Sequence, residues 1–532
     1  MKTNKLLAAG ALALSMAMTP VASLLNAMPI AAETVDNKTN HAYKAYQVFS
    51  GTQAPNDAAL GQVEWGAAID QTKVQSKLEG SDTFKSAKGN AGEVAKILAN
   101  NQSAADEFAK IVSASLNTDA QGVDIAAGAT EVTLDAGYYL LVDQTDTDGK
   151  NDYKNLSLLQ VTNKGEIEIK KKNDIPSVDK KVQDETTENG QNVTDTDGFY
   201  YNADHAIGEE FKFQLTGTVP ANTMNLYDSY AFQFNDTLSN GVDFVMDTTE
   251  PTKLKGLSIM VTNGDDGTAV NKTDDFTVGV SGKTLIISTN NLKDLVTNPS
   301  LKTTVVVTYT AVLNDKAAVT EVGADKTFTE NNKVNLEYSN NPNSDGSGKK
   351  GKTQDETVFV GTYKLPNTKT DQDGKPLGGA KFKLRRGEGS SAEYAVIEDG
   401  KVTGWTTLDN EPKTVITSDA STGDFSVSGL DAGNYVLVEV EAPAGYTKAA
   451  DTPVTITANH DEGKTDKTKN TKVSVSLTVD SESASFVTVK NNKGGTLPET
   501  GGMGTTMIYG VGAVMVAGAA VFYVTNKRTR KD

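Results

Sequence analysis

Residues 434–442 read NYVLVEVEA, a run of β-branched and aromatic residues that ends before the turn-forming PAG at 443–445. Runs of the same kind lie on either side of it, separated by Gly, Asp and Asn at short intervals, which is typical of strands joined by turns. They are AKFKLRR at 380–386, GDFSVSGL at 423–430, TPVTITA at 452–458, VSVSLTVD at 473–480 and SFVTVKN at 485–491. Residues 366–495 are therefore predicted to form an immunoglobulin-like β-sandwich.

A second β-rich segment, 173–365, precedes this sandwich. Its strand candidates are FKFQLTGTVP, SYAFQFNDTL, TLIIST and TTVVVTYTAVL, and TVFVGTYKL is predicted to be the closing strand by the same criterion. The stretch 340–352 is polar and rich in Gly, Ser and Lys, which predicts an exposed loop. The middle segment is therefore predicted to be a second sandwich.

The first segment, 33–172, mixes helix and strand signals. Strand candidates are GATEVTLDAGYYLLVDQ and LSLLQVTNKGEIEIK. A helix is predicted from Ala105 onward, because apolar residues recur there at helical spacing, and 93–98 is a weaker candidate. Those apolar residues are Phe108, Ile111, Val112 and Leu116. The whole chain is thus predicted to be mainly β, built of tandem sandwiches, the first with a helical insertion.

Composition excludes several classes of function. The 532 residues suffice for three or four domains, and 51 basic against 69 acidic residues give a net charge of −18, which argues against nucleic-acid binding. Cysteine is absent, and His41, His205 and His460 have no spacing typical of a metal site or a catalytic triad. TDTDG at 145–149 and 194–198 lacks the distant Glu of a calcium loop and is interpreted as a turn. We expect no metal, no cofactor and no classical enzyme.

The N-terminus has the features of a secretory signal. Lys2 and Lys5 precede an apolar stretch at 6–18 that is interrupted by Ser15 and is too short to span a membrane comfortably. Small residues before Glu33 predict cleavage there, and sites around 23–27 also qualify. We therefore expect 1–32 to be removed on export.

The C-terminus has three parts: LPETG at 497–501, an apolar stretch from Met507 to Val524, and a basic tail. The apolar stretch is just long enough to cross a membrane, and the basic tail is expected to stay cytoplasmic. Over 496–532 this arrangement resembles the cell-wall sorting signal of Gram-positive surface proteins, which sortases cleave between Thr and Gly. The residues of the motif here are Leu497, Pro498, Glu499, Thr500 and Gly501.

Three further stretches lie in the third segment: LPNTKTDQDGKPLGGAKFKL at 365–384, YVLVEVEAPAGY at 435–446 and FVTVKNNKGG at 486–495. Together with the sorting signal, PSVDKK and YSNNP, they resemble the backbone subunits of sortase-assembled pili, the SpaA-type fimbrial proteins. The resemblance covers nearly all of the exported chain and is least distinctive in the first segment. It implies a CnaB-type domain at 366–495 and a CnaA-like domain at 173–365.

In CnaB-type domains, a lysine on the first strand bonds covalently to an asparagine on the last strand, beside a buried acid. The resemblance assigns these roles to Lys369, Asn491 and Glu439, with Asn492 as the alternative partner. Burial lowers the pKa of a lysine, so its amine becomes nucleophilic, and raises the pKa of a glutamic acid, so it can stay protonated and hydrogen-bond to the amide. Attack on the asparagine side-chain carbon then expels ammonia and leaves an isopeptide bond.

The CnaA-like segment has looser motifs. PSVDKKV places the lysine at Lys180, with Lys181 as the alternative, and strand alternation puts the two on opposite faces. FNDTLSNGVDF places the acid at Asp236, and NKVNLEYSNNP points to Asn332 as the partner. The rival partners are Asn335 and Asn340.

Polymerisation implies a further lysine on each subunit. The family pattern V-x-V-Y-P-K-N aligns with IEIKKKN at 167–173 and places the acceptor at Lys172. Lys170 and Lys171 stand where Tyr and Pro are usual and remain candidates. No isopeptide set is assigned in the first segment, where Lys44 lies on an early strand without a supporting motif.

The resemblance implies a secreted subunit that passes through a transient membrane anchor and ends covalently attached to the cell wall. A class C pilus sortase would join Thr500 of one subunit to the lysine of the next, giving a head-to-tail polymer of identical subunits. A housekeeping sortase would attach the polymer to peptidoglycan, and minor tip and basal pilins are further implied partners. The predicted function is a pilus shaft that supports adhesion. The alternative is a monomeric wall-anchored adhesin that binds host or matrix ligands.

Overall fold

A computed structural model describes residues 33–53, 60–154, 156–162, 167–170, 175–184, 187–188, 191–192, 198–342, 350–408 and 412–494. The predicted leader at 1–32, the predicted acceptor Lys172 with its neighbour Lys171, and the sorting signal at 496–532 lie outside the described residues. Within the described ranges, none of the helices has the length and apolar character needed to cross a membrane.

The first segment combines two small sheets with three helices. Its elements are β1 (Glu33–Asn37), β2 (Tyr43–Gln53), β3 (Leu60–Trp65), α1 (Gln71–Glu79), α2 (Ala91–Asn100), α3 (Ala105–Ser113), β4 (Val123–Ile125), β5 (Val132–Leu134), β6 (Gly137–Asp143), β7 (Leu156–Val161) and β8 (Ile167–Ile169). One sheet has the order β5-β1-β8, and the other has the order β3-β2-β6-β7 with β4 beside β2. The predicted mixture of strands and helices is confirmed for this segment.

The predicted helix from Ala105 is α3, which buries Phe108 and Val112 against the first segment's core, and the weaker candidate is α2. Helix α1 was not predicted. It buries Val74 and Leu78 alone, and its other side chains are polar, so its apolar periodicity is weak. Its start is fixed by Asp70, whose carboxylate accepts a hydrogen bond from the backbone N–H of Lys73.

The middle segment is a sandwich of two sheets. Its strands are β9 (Ser177–Gln183), β10 (Thr187–Glu188), β11 (Gln191–Asn192), β12 (Phe199–Tyr200), β13 (Asn202–Asp204), β14 (Glu210–Val219), β15 (Phe232–Leu238), β16 (Val242–Phe244), β17 (Ser258–Asn263), β18 (Val270–Asn271), β19 (Thr277–Ser281), β20 (Thr284–Thr289), β21 (Thr303–Leu313), β22 (Gly323–Thr327), β23 (Glu330–Ser339), β24 (Lys350–Lys352) and β25 (Glu356–Gly361). One sheet runs β12-β9-β14-β21-β17-β18 with β16 beside β21, and the other runs β13-β25-β23-β15-β20-β19 with β24 beside β23. Strands β10 and β11 form a separate two-stranded sheet, and β22 belongs to neither sheet of the sandwich.

The two sheets of the middle segment bury alternate residues of their strands. On β14, Phe211, Phe213 and Leu215 face the core, and on β21 Val307 and Tyr309 do so. Because successive side chains of a strand point to opposite faces, one face of each sheet supplies the core and the other faces outward. A polar residue on an inner face is therefore carried into the core, which is how the middle site is assembled.

The C-terminal segment forms one continuous sheet path. Its elements are β26 (Tyr363–Thr370), β27 (Lys381–Arg386), β28 (Glu393–Glu398), β29 (Lys401–Thr406), β30 (Ile416–Thr417), β31 (Asp424–Leu430), β32 (Gly433–Glu441), β33 (Thr452–Asn459), α4 (Asp461–Thr465), β34 (Lys472–Val479), β35 (Glu482–Ala484) and β36 (Val487–Lys490). The order is β22-β34-β33-β32-β27-β28-β29-β31-β26-β36, with β30 beside β27 and β35 beside β34. Strand β22 thus comes from the middle of the chain and pairs with the last segment.

The stretch TVFVGTYKL, predicted as a single closing strand, is two strands. β25 pairs with β23 of the middle sandwich, whereas β26 pairs with β31 of the C-terminal sheet. The break falls at Thr362, whose hydroxyl donates to the carbonyl oxygen of Leu430 at 3.0 Å. One continuous run of β-forming residues can therefore serve two sheets, because the chain passes directly from one segment to the next.

Candidate isopeptide centres

Three buried side chains meet between the two sheets of the middle segment. Lys180 lies on β9 of one sheet, whereas Asp236 on β15 and Asn332 on β23 belong to the other. Strands β15 and β23 are neighbours, with Asp236 opposite Val334, so Asp236 and Asn332 share the inner face of their sheet. Each of the three side chains is at most 1% exposed. The structure therefore brings the predicted lysine, acid and asparagine together, and we call them, with Tyr309 described next, the middle centre.

The polar atoms of the middle centre form one connected chain of contacts. Lys180 Nζ lies 3.0 and 2.9 Å from the two carboxylate oxygens of Asp236. The hydroxyl of Tyr309 donates to Asp236 Oδ2 at 2.6 Å and accepts from Asn332 Nδ2 at 2.6 Å. Asn332 Oδ1 is buried and has no hydrogen-bond partner among the described residues. The Asn332 amide nitrogen is thus fixed by a hydrogen bond to Tyr309, whereas the Asn332 carbonyl oxygen could still accept a hydrogen bond that polarises the carbonyl.

The surroundings of Lys180 favour its neutral amine. Burial lowers the pKa of Lys180 to about 8, although the Asp236 carboxylate opposes this shift. The ring of Phe213 lies 5.0 Å from Nζ, so an aromatic face borders the amine. A lysine that loses its proton near neutral pH is a competent nucleophile toward a carbonyl carbon.

The rival residues of the middle segment lie elsewhere. Lys181 points away from the core, with Nζ 5.8 Å from the ring of Tyr201. Asn335 is half-buried and hydrogen-bonds to Asn235 and Asp355 on the outer face. These contacts leave Lys180 and Asn332 as the lysine and asparagine that face each other across the sandwich.

The third rival, Asn340, is fully buried but contacts the first segment. Its Nδ2 donates to the carbonyl oxygens of Thr147 at 2.7 Å and Asp152 at 3.3 Å. Thr147 belongs to the first TDTDG stretch, which the sequence interprets as a turn. This turn is therefore part of the junction between the first and middle segments.

A second buried set lies in the C-terminal segment. Lys369 on the first strand, β26, is opposite Val489 on the last strand, β36, and the two strands are parallel neighbours. Asn491 follows β36 directly, and Glu439 lies on β32. Lys369, Glu439 and Asn491 are each at most 1% exposed. We call these three residues the C-terminal centre.

In the C-terminal centre the acid contacts the amide directly. Asn491 Nδ2 donates to Glu439 Oε2 at 2.9 Å and also to the carbonyl oxygen of Thr447. Glu439 Oε2 also accepts the backbone N–H of Ala449. Asn491 Oδ1 and Glu439 Oε1 are buried without a hydrogen-bond partner among the described residues. As in the middle centre, the amide nitrogen is held and the carbonyl is open.

Lys369 is held by backbone oxygens. Its Nζ donates to the carbonyl oxygens of Val489 at 3.0 Å and Thr370 at 3.1 Å. Burial lowers the pKa of Lys369 to about 8, against the opposing charges of Glu439 and Asp371. Asn492, the alternative partner, is exposed. The geometry therefore favours Asn491 over Asn492.

Other lysines of interest are not buried. Lys44 is partly exposed and pairs with Asp124 at 3.4 Å, and Lys170 is exposed and pairs with Glu168 at 2.8 Å. Among the lysines that the structure describes, Lys180 and Lys369 alone are 1% exposed or less. The described part of the first segment thus contains no lysine buried like those of the two centres.

Sequence reasoning missed two residues of these centres. Tyr309 lies in the predicted strand TTVVVTYTAVL, where alternation places it on the same face as Val305 and Val307. Thr447 follows the YVLVEVEAPAGY stretch and contributes a backbone oxygen, which no side-chain pattern encodes. Alternation could have placed Tyr309 in the core, but its contact with Asn332 depends on how the two sheets are set against each other.

His460, which has no metal-site spacing in the sequence, lies beside two acidic residues in the structure. His460, Asp184 and Asp204 are buried at the junction of the middle and C-terminal segments, with ligand atoms within 4.8 Å of one another. His460 Nε2 lies 2.9 Å from Asp204 Oδ1, and Lys464 Nζ lies 3.2 Å from Asp184 Oδ2. Because a lysine already supplies positive charge to this group, we interpret it as an ion-pair network that joins the two segments.

Residues 363–473, which include Lys369 and Glu439, match the family model of the SpaA prealbumin-like fold domain. Over these residues the C-terminal segment is similar to SpaA-type domains. The match begins at the first residue of β26 and ends in β34. It therefore contains two of the three members of the C-terminal centre, and Asn491 lies beyond it.

Known proteins similar to this chain include fimbrial proteins. The curated protein "Fimbrial subunit type 2" of Actinomyces naeslundii is 27% identical over 293 residues, which is 50% of this chain and 50% of that protein. The match thus spans about half the length of this relative. The predicted mainly β architecture is confirmed by the strands of the structure and by the match of residues 363–473 to a prealbumin-like fold domain.

Solved structures that are similar to the chain include three pilus proteins, each at low identity. The T6 backbone pilin of Streptococcus pyogenes is 17% identical, with 89% of this chain and 100% of that chain covered and a TM-score of 0.48. The major pilin SpaD of Corynebacterium diphtheriae is 16% identical, with 88% and 99% covered and a TM-score of 0.40. The pilus 2b backbone protein of group B streptococcus is 22% identical, with 60% and 99% covered and a TM-score of 0.40.

Proposed function

We propose that this protein is the structural shaft subunit of a covalently polymerised pilus on the cell surface. Two internal isopeptide bonds, Lys180–Asn332 and Lys369–Asn491, would stabilise each subunit. The observation that carries the proposal is the pair of buried centres, each with a lysine of lowered pKa, an acid and an asparagine whose carbonyl oxygen is unpaired. The kinship with a fimbrial subunit and the SpaA-type domain support the same function.

The positions of the two bonds suit a fibre under tension. Lys369 lies on the first strand and Asn491 directly after the last strand of the C-terminal segment, and these strands are neighbours. Lys180 and Asn332 likewise join an early strand, β9, to a late strand, β23. Each bond would close a loop of more than a hundred residues, which by analogy with disulfides is worth about 4–5 kcal/mol. For a fibre under tension, resistance to forced unfolding matters more than this equilibrium gain. The operational stability of such a fibre is set by the rate at which its subunits unfold.

Chain growth would use the two ends of the exported chain. A class C sortase cysteine would attack the Thr500 carbonyl carbon, release Gly501 and form an acyl-enzyme, and the amine of Lys172 on the next subunit would displace the enzyme thiol. In the sequence, Lys172 comes after the last residue of β8 and before the first residue of β9. One donor and one acceptor per subunit give an open head-to-tail filament. A housekeeping sortase, peptidoglycan, and tip and basal pilins complete the proposed set of partners.

The test is a denaturing gel of enzymatically released cell wall, probed for this protein. The proposal predicts a ladder of high-mass species that survives boiling and is lost on Lys172→Ala. Lys170→Ala is the matched control, because Lys170 is exposed and paired with Glu168, and its ladder should persist. Loss of the ladder in Lys170→Ala alone would move the acceptor. A single band at the subunit mass, with sortases expressed, would overturn the shaft and favour a monomeric adhesin.

A further inference from the structure

The acids of the two centres contact different reacting groups. In the middle centre, Asp236 contacts the nucleophile, with Lys180 Nζ at 2.9 Å. No hydrogen bond joins Asp236 to Asn332 in the part of the chain that the structure describes. In the C-terminal centre, Glu439 contacts the leaving nitrogen instead, with Asn491 Nδ2 at 2.9 Å. The middle centre therefore needs another group to protonate the leaving nitrogen of Asn332.

Tyr309 occupies that place. Its hydroxyl lies 2.6 Å from Asp236 Oδ2, to which it donates, and 2.6 Å from Asn332 Nδ2, from which it accepts. Asn332 Nδ2 has no other hydrogen-bond partner within the described ranges. The Tyr309 ring is fixed by Phe213 and Phe244, with ring centroids 5.8 and 5.6 Å away. The hydroxyl is therefore preorganised between the acid and the group that must leave.

We propose that Tyr309 is a catalytic residue of the middle centre, which relays a proton from Asp236 to the departing nitrogen of Asn332. This inference rests on the proposed function, since it presupposes the Lys180–Asn332 bond. The chemical need is general: an amide nitrogen leaves as ammonia only after it has gained a proton. Aspartate is one methylene shorter than glutamate, and the tyrosine hydroxyl bridges the distance that Glu439 spans by itself in the C-terminal centre.

The protons of this relay balance. Lys180 ammonium first gives a proton to the Asp236 carboxylate, and the neutral amine attacks Asn332 Cγ, forming the C–N bond and an oxyanion. Tyr309 then protonates Nδ2 and takes the proton of Asp236, while Asp236 takes a proton from the attacking nitrogen. Collapse of the oxyanion restores the carbonyl, breaks the Cγ–Nδ2 bond and releases ammonia. Asp236 ends neutral, Tyr309 keeps its hydroxyl, and one isopeptide bond remains.

The environment of Tyr309 suits a relay without a stable tyrosinate. Burial raises the pKa of Tyr309 well above its ordinary value, and the Asp236 charge raises it further. The hydroxyl therefore stays protonated at rest. It passes its proton only as it receives another, because a lasting phenolate in this position would be costly.

The test uses the full chain and measures linked and unlinked peptides at successive times after synthesis. Tyr309→Phe should slow formation of the Lys180–Asn332 link by roughly 100-fold or more, the usual contribution of a proton-transferring side chain. The Lys369–Asn491 link of the same molecules is an internal reference and should form at the unchanged rate. Tyr230→Phe is the matched control, because Tyr230 is fully buried in the same core and its hydroxyl has no partner among the described residues.

A second variant separates a chemical defect from a folding defect. Asp236→Glu added to Tyr309→Phe lengthens the acid toward Asn332, and the relay predicts that the link returns. An unchanged linking rate in Tyr309→Phe, or a double variant that also fails to link, would overturn the relay. If the wild-type chain itself carries neither link, the proposed isopeptide chemistry fails, which is a different result from a relay that fails while both wild-type links form.

Discussion

Lys180 Nζ lies 2.9 Å from Asp236 Oδ2, although the two residues belong to different sheets of the middle segment. Both side chains are fully buried, and such a pair is costly to form unless its geometry and its hydrogen bonds are good. A chain that kept this pair for stability alone would gain little over an apolar core. Under the proposed function, the pair is the reactive state that would precede the Lys180–Asn332 bond.

The acid of the C-terminal centre can be tested by a change of one atom. Glu439→Gln keeps the shape and the contact with Asn491 but removes the carboxyl group that would give and take protons in the reaction. The Lys369–Asn491 link should form roughly 100-fold more slowly or not at all, and the unlinked variant should be heavier by one ammonia than the mass calculated for its own linked form. Intact mass and peptide mapping measure both quantities.

Glu441→Gln is the control for this variant, because Glu441 lies on the same strand but is exposed and pairs with Lys381. It should retain the full complement of links. Normal linking in Glu439→Gln would remove this glutamate from the reaction.

A chain that cannot form the middle bond should show an unusual dependence of stability on pH. In Asn332→Ala, Lys180 stays unreacted, and burial keeps its pKa near 8 instead of 10.5. Below about pH 8 the folded state must hold a buried ammonium, which costs about 3 kcal/mol for this shift. From about pH 8 to 10.5 the unfolded chain binds more protons than the folded chain, so the free energy of unfolding should rise with pH.

The free energy of unfolding of Asn332→Ala is measured by denaturant unfolding at several pH values in this range. Asn335→Ala is the matched control, since Asn335 is half-buried on the same strand and faces away from the centre. The control should keep its bond and lack this rise. If the difference in unfolding free energy between the two variants did not change with pH, the lowered pKa of Lys180 would be contradicted.

The junction of the middle and C-terminal segments should be stabilised by acid. Burial alone lowers the pKa of His460, but the nearby carboxylates of Asp204 and Asp184 outweigh it, and the pKa is raised despite Lys464. A raised histidine pKa gives stability that is complete below its unfolded value of about 6.5 and is lost as the pH rises through the folded value. Burial also raises the pKa values of Asp184 and Asp431, which act in the same direction. His460→Gln should therefore reduce this dependence without abolishing it.

Thermal unfolding at about pH 5.5 and about pH 8 compares the two chains. Lys467→Gln serves as the control, because it removes an exposed ion pair with Glu356 at the same junction whose charges persist through this range. An equal pH dependence in wild type and His460→Gln would show that His460 does not carry the effect.

Asn340 is expected to join segments and not to form an isopeptide bond. Asn340→Ala removes buried hydrogen bonds to the carbonyl oxygens of Thr147 and Asp152, which should cost about 1–3 kcal/mol of unfolding free energy. The Lys180–Asn332 link should be unaffected, as peptide mapping would record. Loss of that link in Asn340→Ala, with Asn332 present, would reassign the partner.

Motifs that resemble those of the SpaA-type fimbrial proteins allowed most members of the two centres to be named from sequence. Lys369 and Glu439 stand in recognisable strand patterns near the turns that flank them, and Asn491 precedes the sorting signal. Alternation along β9 separates Lys180 from Lys181 but does not say which of the two faces the core, since that depends on the partner sheet. The structure brings the residues together; the bonds themselves stay predictions.

Features that depend on packing between elements could not be predicted. Tyr309 is one of several inward residues on β21, and its contact with Asn332 follows from the setting of the two sheets. His460 meets Asp204 across 256 residues of sequence. Helix α1 buries two apolar residues, Val74 and Leu78, which is too few for a clear helical period. For Tyr309 and His460 the deciding information lies in a distant element, whereas α1 has too weak an apolar pattern of its own.

The most direct test of the account is peptide mapping of the wild-type protein released from the cell wall. Two linked peptide pairs are predicted, Lys180 with Asn332 and Lys369 with Asn491, each lighter than the sum of its peptides by one ammonia. Peptides that carry free Lys180, Lys369, Asn332 and Asn491 in the folded, exported protein would contradict it.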